Sequence, residues 1–151
     1  LTAQYHSAII KIAKIQHSMR REKLYMQIVY TQNAPDAIGP YSQALVHADI
    51  VYTSGQIPID PKSGEIAGTT IEQQAEQALR NLSAILVAAD SSLDLVVKTT
   101  CFLSDMDLFT GFNSVYEKFI TKKPARSCVA VRSLPKNVLV EIEAIALTNK
   151  P

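Results

Sequence analysis

"PARSCVAV" at residues 124–131 and "LVEIEAIAL" at 139–147 pose the question on which the fold of this chain turns. The second stretch is the most strand-like in the sequence, yet Glu141 and Glu143 stand among its Leu, Val, Ile and Ala residues. Positions two apart in a strand share a face, so both carboxylates point the same way. Only "RSLPKN" at 132–137 separates a strand over 125–131 from one over 138–146. A hairpin across it, with Val131 opposite Val138, sets Cys128 opposite Glu141 and Arg126 opposite Glu143. A guanidinium, a thiol and two carboxylates then occupy one face. The competing reading is an exposed antiparallel face where Arg126 and Glu143 form an ion pair of little energetic consequence. From spacing alone the ion pair is the weightier reading, because structural pairs imitate functional ones.

Outward from this pair the chain reads as α+β. "QIVYTQ" at 27–32 is a short strand, and "NAPDAIGPYSQ" at 33–43 is a loop punctuated by Pro35, Gly39 and Pro40. "ALVHADIVYTSG" at 44–55 predicts two strands joined by a tight turn near Ala48–Asp49. Thr70 and Gln73 form a capping box ahead of the stripe Ile71, Ala75, Ala78, Leu79, Leu82, Ile85 and Leu86, which predicts a helix over 71–89. "LVVKTTCFL" at 95–103 is a β-branched strand, and Leu108, Phe112, Val115, Tyr116 and Phe119 mark a second amphipathic helix. The order β-β-β-α-β-α-β-β, with helices as crossovers, implies a mixed sheet carrying both helices on one face.

Composition narrows the function classes. A chain of 151 residues, 47% hydrophobic, with formal net charge +1, suits one core and lacks the basic excess of a nucleic-acid binder. Its longest apolar runs, such as "AILVAA" at 84–89, fall far short of the roughly 20 residues of a membrane span. Cys101 and Cys128 stand in no CxxC or CxxH spacing, which points to a reducing, cytoplasmic setting without a zinc site. His6, His17 and His47 show no metal-ligand spacing, and no glycine-rich phosphate loop is present. Residues 1–25 differ from the rest: Lys11, Lys14, Arg20, Arg21 and Lys23 face a single acid, Glu22, and Tyr5, Ala8, Ile9, Ile12, Ile15 and Met19 fall near helical spacing. We expect a basic amphipathic helical extension docked on a domain over 26–151. The alternative is a targeting segment, which would direct the protein to an organelle.

Five stretches in order, "NAPDAIGPYSQA" at 33–44, "TSGQIPIDPKSGEI" at 53–66, "FNSVYEKF" at 112–119, "PARSCV" at 124–129 and "LPKNVLVEIEAIA" at 134–146, carry a resemblance. From about Met26 to Leu147 the chain resembles the RidA or YjgF-type reactive-intermediate (enamine/imine) deaminases. The resemblance implies a chorismate-mutase-like α+β domain, a homotrimer with clefts between subunits, and hydrolysis of 2-aminoacrylate, 2-iminobutanoate and related imines to 2-oxo acids and ammonia without metal or organic cofactor. By motif position it implies that Arg126 anchors the substrate carboxylate and Glu141 faces the water. Tyr41, Ser54, Gly55, Asn113 and Cys128 match other cleft positions. Two departures bear on the cleft rim and subunit contacts: "EKFITKK" before Pro124 is short and lacks an aromatic residue common there, and Ala130 replaces a frequent acid.

The residue types suit that chemistry on independent grounds. Arg presents a planar fork that holds a carboxylate bidentately, where Lys offers a point charge. Water addition to a C=N carbon needs a group that takes and returns a proton, a role for Glu141. Glu143 would raise the Glu141 pKa, and Arg126 would lower it. Cys128 has no His placed by sequence to activate it and reads as cleft lining. Arg126, Cys128 and Glu141 are expected on one wall of an intersubunit cleft, with Tyr41 across from them. Two other classes stay open: a non-catalytic small-acid-binding or chaperone-like trimer, and an endoribonuclease or translation inhibitor.

Overall fold

Ala48 and Asp49 adopt left-handed backbone, with φ of 49° and 67°. They close the tight turn between β2 (Ala44–His47) and β3 (Ile50–Thr53), where His47 pairs with Ile50. Two positive φ values in sequence are the type I′ signature that matches the twist of paired strands. The computed structural model describes residues 25–149 and Lys11. The amphipathic extension expected over 1–25 therefore lies outside the described residues but for Lys11 and Tyr25.

Among the described residues, β1 (Gln27–Val29), β2, β3, β4 (Val96–Leu103), β5 (Ala125–Ala130) and β6 (Val140–Leu147) form one sheet in the order β1-β2-β3-β6-β4-β5. Helices α1 (Ile71–Ala88) and α2 (Phe109–Phe119) are the crossovers, and β4 and β5 run parallel while the other pairs are antiparallel. This is the expected α+β sheet with both helices on one face. No helix among the described residues is long and apolar enough to cross a membrane.

The capping box forms as read, with the Thr70 hydroxyl accepting from the Gln73 amide and the Gln73 side chain accepting from the Thr70 amide. Every member of the predicted α1 stripe is buried. Each fully buried Leu or Ile there contributes roughly 1.5–3 kcal/mol relative to exposure. The stripe meets the alternate residues Val140, Ile142, Ala144 and Ala146 of β6, none more than 2% exposed. Two buried polar residues of α1 are fully used. Asn81 donates to the carbonyls of Ile57 (3.0 Å) and Ile59 (2.9 Å), and Gln74 accepts from the Leu139 amide (2.8 Å) and donates to the Gly68 carbonyl (3.2 Å). These bonds pin the 55–68 connection and the entry to β6 onto one helix, and so set where Gly55 and Glu141 come together.

The expected β5–β6 hairpin does not form. β6 lies between β3 and β4, and among the described residues β5 pairs only with β4, at the sheet edge. Cys128 therefore stands opposite Cys101 rather than Glu141, and Arg126 opposite Thr99 rather than Glu143. The reason is burial. A strand with a fully apolar face gains most in the sheet centre over a helix, and at the edge that face would stay wet. The link is also unlike a hairpin loop. Lys136 and Asn137 have positive φ of 55°, and Leu134 and Val138 sink into a second cluster with Ile57 and Ile59. It passes over the end of β4, where the Val131 amide donates to the Leu103 carbonyl and the Ser104 amide to the Leu139 carbonyl.

Candidate functional site

β5 and β6 present their chemistry on opposite faces of the sheet. In parallel register Arg126 and Cys128 align with Thr99 and Cys101, whose side chains are buried on the helix side. Glu141 and Glu143 align with Phe102 and Thr100, on the side away from the helices. The single wall expected for Arg126, Cys128 and Glu141 is thus not built within one chain. Pairing Arg126 with the wrong strand placed it on the wrong face, since a change of partner or a one-residue slip reverses which side a residue takes.

On the helix side Arg126 is half-buried beneath α2. Its Nη1 donates to Asn113 Oδ1 at 2.9 Å. The guanidinium carbon lies 4.6 Å from the Tyr116 ring centre and 5.5 Å from that of Phe109. Asn113 and Tyr116 meet the same arginine because residues three apart on a helix are neighbours. The Tyr116 hydroxyl shares a buried hydrogen bond of 2.7 Å with Thr99 Oγ1. Among the described residues no carboxylate pairs with Arg126, so its remaining donors are available to an anion. Cys128 is half-buried beside it. Burial pushes its thiol up and Arg126 pulls it down, with the upward effect the larger. A thiol held above its ordinary value is a poor nucleophile, consistent with a lining role.

On the opposite face Glu141 lies against Gly55 in a cleft that Pro35, Ile38, Tyr41, Gln56 and Ile57 also line. Burial first, then the Glu143 carboxylate, raises its pKa above the ordinary value. The lowering expected from Arg126 is absent because the guanidinium is on the other side of the sheet. Tyr41 accepts through its hydroxyl from the Ile38 amide at 3.3 Å and leaves its ring half exposed at the cleft mouth. Ser54, expected as a ligand contact, donates instead to the Ser42 carbonyl at 2.7 Å and so ties β3 to the Tyr41 loop. The expected residues therefore form two groups: Tyr41, Gly55 and Glu141, and Asn113, Arg126 and Cys128.

Sequence reading missed Gln43, Thr99, Phe109 and the ring role of Tyr116. Gln43 is buried; it accepts from the Thr31 amide at 2.7 Å and donates to the carbonyls of Thr31 (3.0 Å) and Pro35 (2.8 Å), shaping the loop behind Tyr41. An amide at the start of a buried strand was the available signal, since buried polar side chains are there to satisfy backbone groups. Tyr116 was read as a core stripe residue, and it is 6% exposed, but its ring also serves the arginine.

The family profile described as Endoribonuclease L-PSP matches residues 31–148. AldR of Lactococcus lactis, named as a regulator, is 55% identical over 80% of this chain and 97% of its own length. The 2-iminobutanoate/2-iminopropanoate deaminase of Salmonella typhimurium is 49% identical over 79% of this chain and 95% of its own. The crystal structure of the YjgF gene product of Escherichia coli superposes with a TM-score of 0.77 at 46% identity, covering 80% of this chain and 98% of that one. The chain belongs to the RidA/YjgF family. Names within RidA/YjgF proteins thus span a deaminase, a regulator and an endoribonuclease, so membership defines the fold more narrowly than the activity.

Two consequences of the geometry are measurable in this RidA/YjgF chain. A Cβ at Gly55 would overlap the Glu141 carboxylate and lie 2.7 Å from its carboxyl carbon. Gly55→Ala is therefore expected to displace Glu141 from its place in the cleft. A crystal structure of the variant with Glu141 unmoved would contradict this. The second consequence is a pH effect. Because folding raises the Glu141 pKa, the carboxylate burdens the folded state at neutral pH, and the burden disappears as pH falls below the ordinary glutamate range. Glu141→Gln should raise Tm at pH 7, with the gain shrinking toward zero by about pH 4 in thermal melts.

Proposed function

We propose that the protein hydrolyses small 2-imino acids, the tautomers of 2-enamino acids such as 2-aminoacrylate, to 2-oxo acids and ammonia, in a cleft made by two subunits. Arg126 of one subunit takes the substrate carboxylate in its planar fork. Glu141 of the next takes a proton from water as the water oxygen bonds to C2 and the C=N electron pair moves to nitrogen. The protonated Glu141 returns its proton to the nitrogen of the carbinolamine. Glu141, again a carboxylate, then takes the hydroxyl proton and passes it to the amino nitrogen, so that the C–N bond breaks and ammonia leaves as the C–O bond becomes the carbonyl. One imino acid and one water give one 2-oxo acid and one ammonia, and Glu141 ends as it began.

The observation that carries this reading is the state of Arg126, a half-buried guanidinium bonded to a neutral amide, walled by rings, and with spare donors. Burying a charge is costly unless it is paired, and a small carboxylate pairs it reversibly. The opposed faces of Arg126 and Glu141 support the two-subunit arrangement, because no small acid can touch both in one chain. The face away from the helices supports assembly: Ile28, Tyr52 and Leu147 are exposed there at 68%, 43% and 45%. We take the assembly to be the homotrimer, with Asn113, Arg126 and Cys128 from one chain and Tyr41, Gly55 and Glu141 from its neighbour. Two free cysteines suit a cytoplasmic setting.

The test is release of pyruvate and ammonia from freshly generated 2-aminoacrylate, with chelator present and no cofactor added. Acceleration over the uncatalysed control is the expected result. A rate equal to the control overturns the enzyme reading and leaves a small-acid sensor.

A further inference from the structure

Arg126 is held by more than its hydrogen bond. The Tyr116 ring lies closer to the guanidinium than that of Phe109, and it is itself fixed from below by Thr99. Thr99 is the register partner of Arg126 across β4 and β5, so one strand position sits beside the arginine and holds the hydroxyl of the ring that supports it. Thr99 is fully buried and Tyr116 is 6% exposed. The two hydroxyls bond each other at 2.7 Å, and Thr99 also meets the Cys101 thiol next along its own strand face.

We propose that Tyr116, locked by Thr99, is a positioning residue that sets Arg126 for carboxylate recognition. The inference rests on the reading of Arg126 as the anchor. Its physical content is selectivity in how the cation is held. A carboxylate partner for Arg126 would occupy the in-plane donors and compete with substrate. An aromatic ring attracts the cation without spending those donors, and within a site shielded from water that attraction is substantial. Asn113, one helical turn before Tyr116, takes a single donor and fixes rotation about the plane. Helix α2 thus supplies a support and a stop, and leaves the remaining fork to the ligand. Thr99 makes the support rigid, because a ring with a bonded hydroxyl cannot slide.

This arrangement predicts a split in kinetic constants. The substrate carboxylate is bound to Arg126 before and during the reaction, so loss of positioning removes uniform binding: KM rises while kcat holds. Tyr116→Leu removes the ring and is expected to raise KM for 2-iminobutanoate, and Kd for 2-oxobutanoate, by about tenfold, with kcat within about twofold. Tyr116→Phe keeps the ring and should restore most of the affinity, leaving a rise of about two- to threefold. Thr99→Val, nearly isosteric, should match Tyr116→Phe, and it keeps the test alive if Tyr116→Leu fails to fold. A merely structural role would lower the yield or Tm of folded protein and leave KM and Kd unchanged in the surviving fraction. That outcome overturns the proposal while leaving deaminase activity in place. If wild-type protein shows no turnover, calorimetric binding of 2-oxobutanoate decides alone. Binding weakened in Tyr116→Leu upholds the positioning role without the enzyme. No binding by wild type overturns both.

Discussion

Glu141→Gln is expected to lower kcat on 2-iminobutanoate by at least about a hundredfold, the ordinary contribution of a positioned general acid–base. Product affinity should hardly change, with Kd for 2-oxobutanoate within about twofold of wild type, because the amide keeps the shape of the side chain and the carboxylate anchor lies elsewhere. Both halves of this result matter. Loss of turnover together with loss of binding would mean that Glu141 shapes the cleft rather than moving a proton. Glu143→Gln is the control. Glu143 acts on Glu141 through its charge and is the smaller of the two causes that raise the Glu141 pKa, burial being the larger. The variant should shift the acidic limb of the pH–rate profile downward with little change in the plateau rate. Equal loss in both variants would show that the second carboxylate is part of the chemistry.

Activity should also return when two inactive chains are mixed, and the opposed sheet faces specify which pairs can do so. Arg126→Ala and Glu141→Gln damage different groups of residues, so a cleft that takes Arg126 from one chain and Glu141 from the other is intact. In a ring of three subunits assembled at random from equal amounts, each cleft has about a one-in-four chance of receiving both good halves, which predicts roughly a quarter of wild-type activity from near zero. Arg126→Ala mixed with Asn113→Ala should remain dead, and so should Glu141→Gln with Tyr41→Ala, because each pair damages the same group. The measurement is activity after joint unfolding and refolding, with light scattering to measure the number of subunits. Rescue within a group, or none between groups, would refute the division of the cleft.

These two experiments depend unequally on what is legible in the sequence. Local signals were sufficient wherever the chain satisfies itself over short range. The capping box at Thr70 and Gln73, the turn at Ala48–Asp49 and the stripe of α1 follow from backbone hydrogen bonding and side-chain period, and the structure carries them as read. The order of strands and helices follows in the same way. So does the presence of Glu141 and Glu143 on one strand face, since alternation is a property of the strand alone.

Strand partnership is different. Nothing in 124–147 states that β6 lies between β3 and β4, because the preference comes from residues far away: Val51 of β3, Cys101 and Leu103 of β4, and the α1 stripe that covers them. A nearby hairpin has the smaller loop-closure entropy, but a central strand gains burial on the whole of its apolar face, and that gain is much the larger. From this one choice follow the separation of Arg126 from Glu141, the rise of the Glu141 pKa by burial and Glu143 alone, and the closeness of Tyr116 to a guanidinium. The chemical groups were thus written in the sequence, whereas the faces on which they stand were decided by tertiary competition for burial.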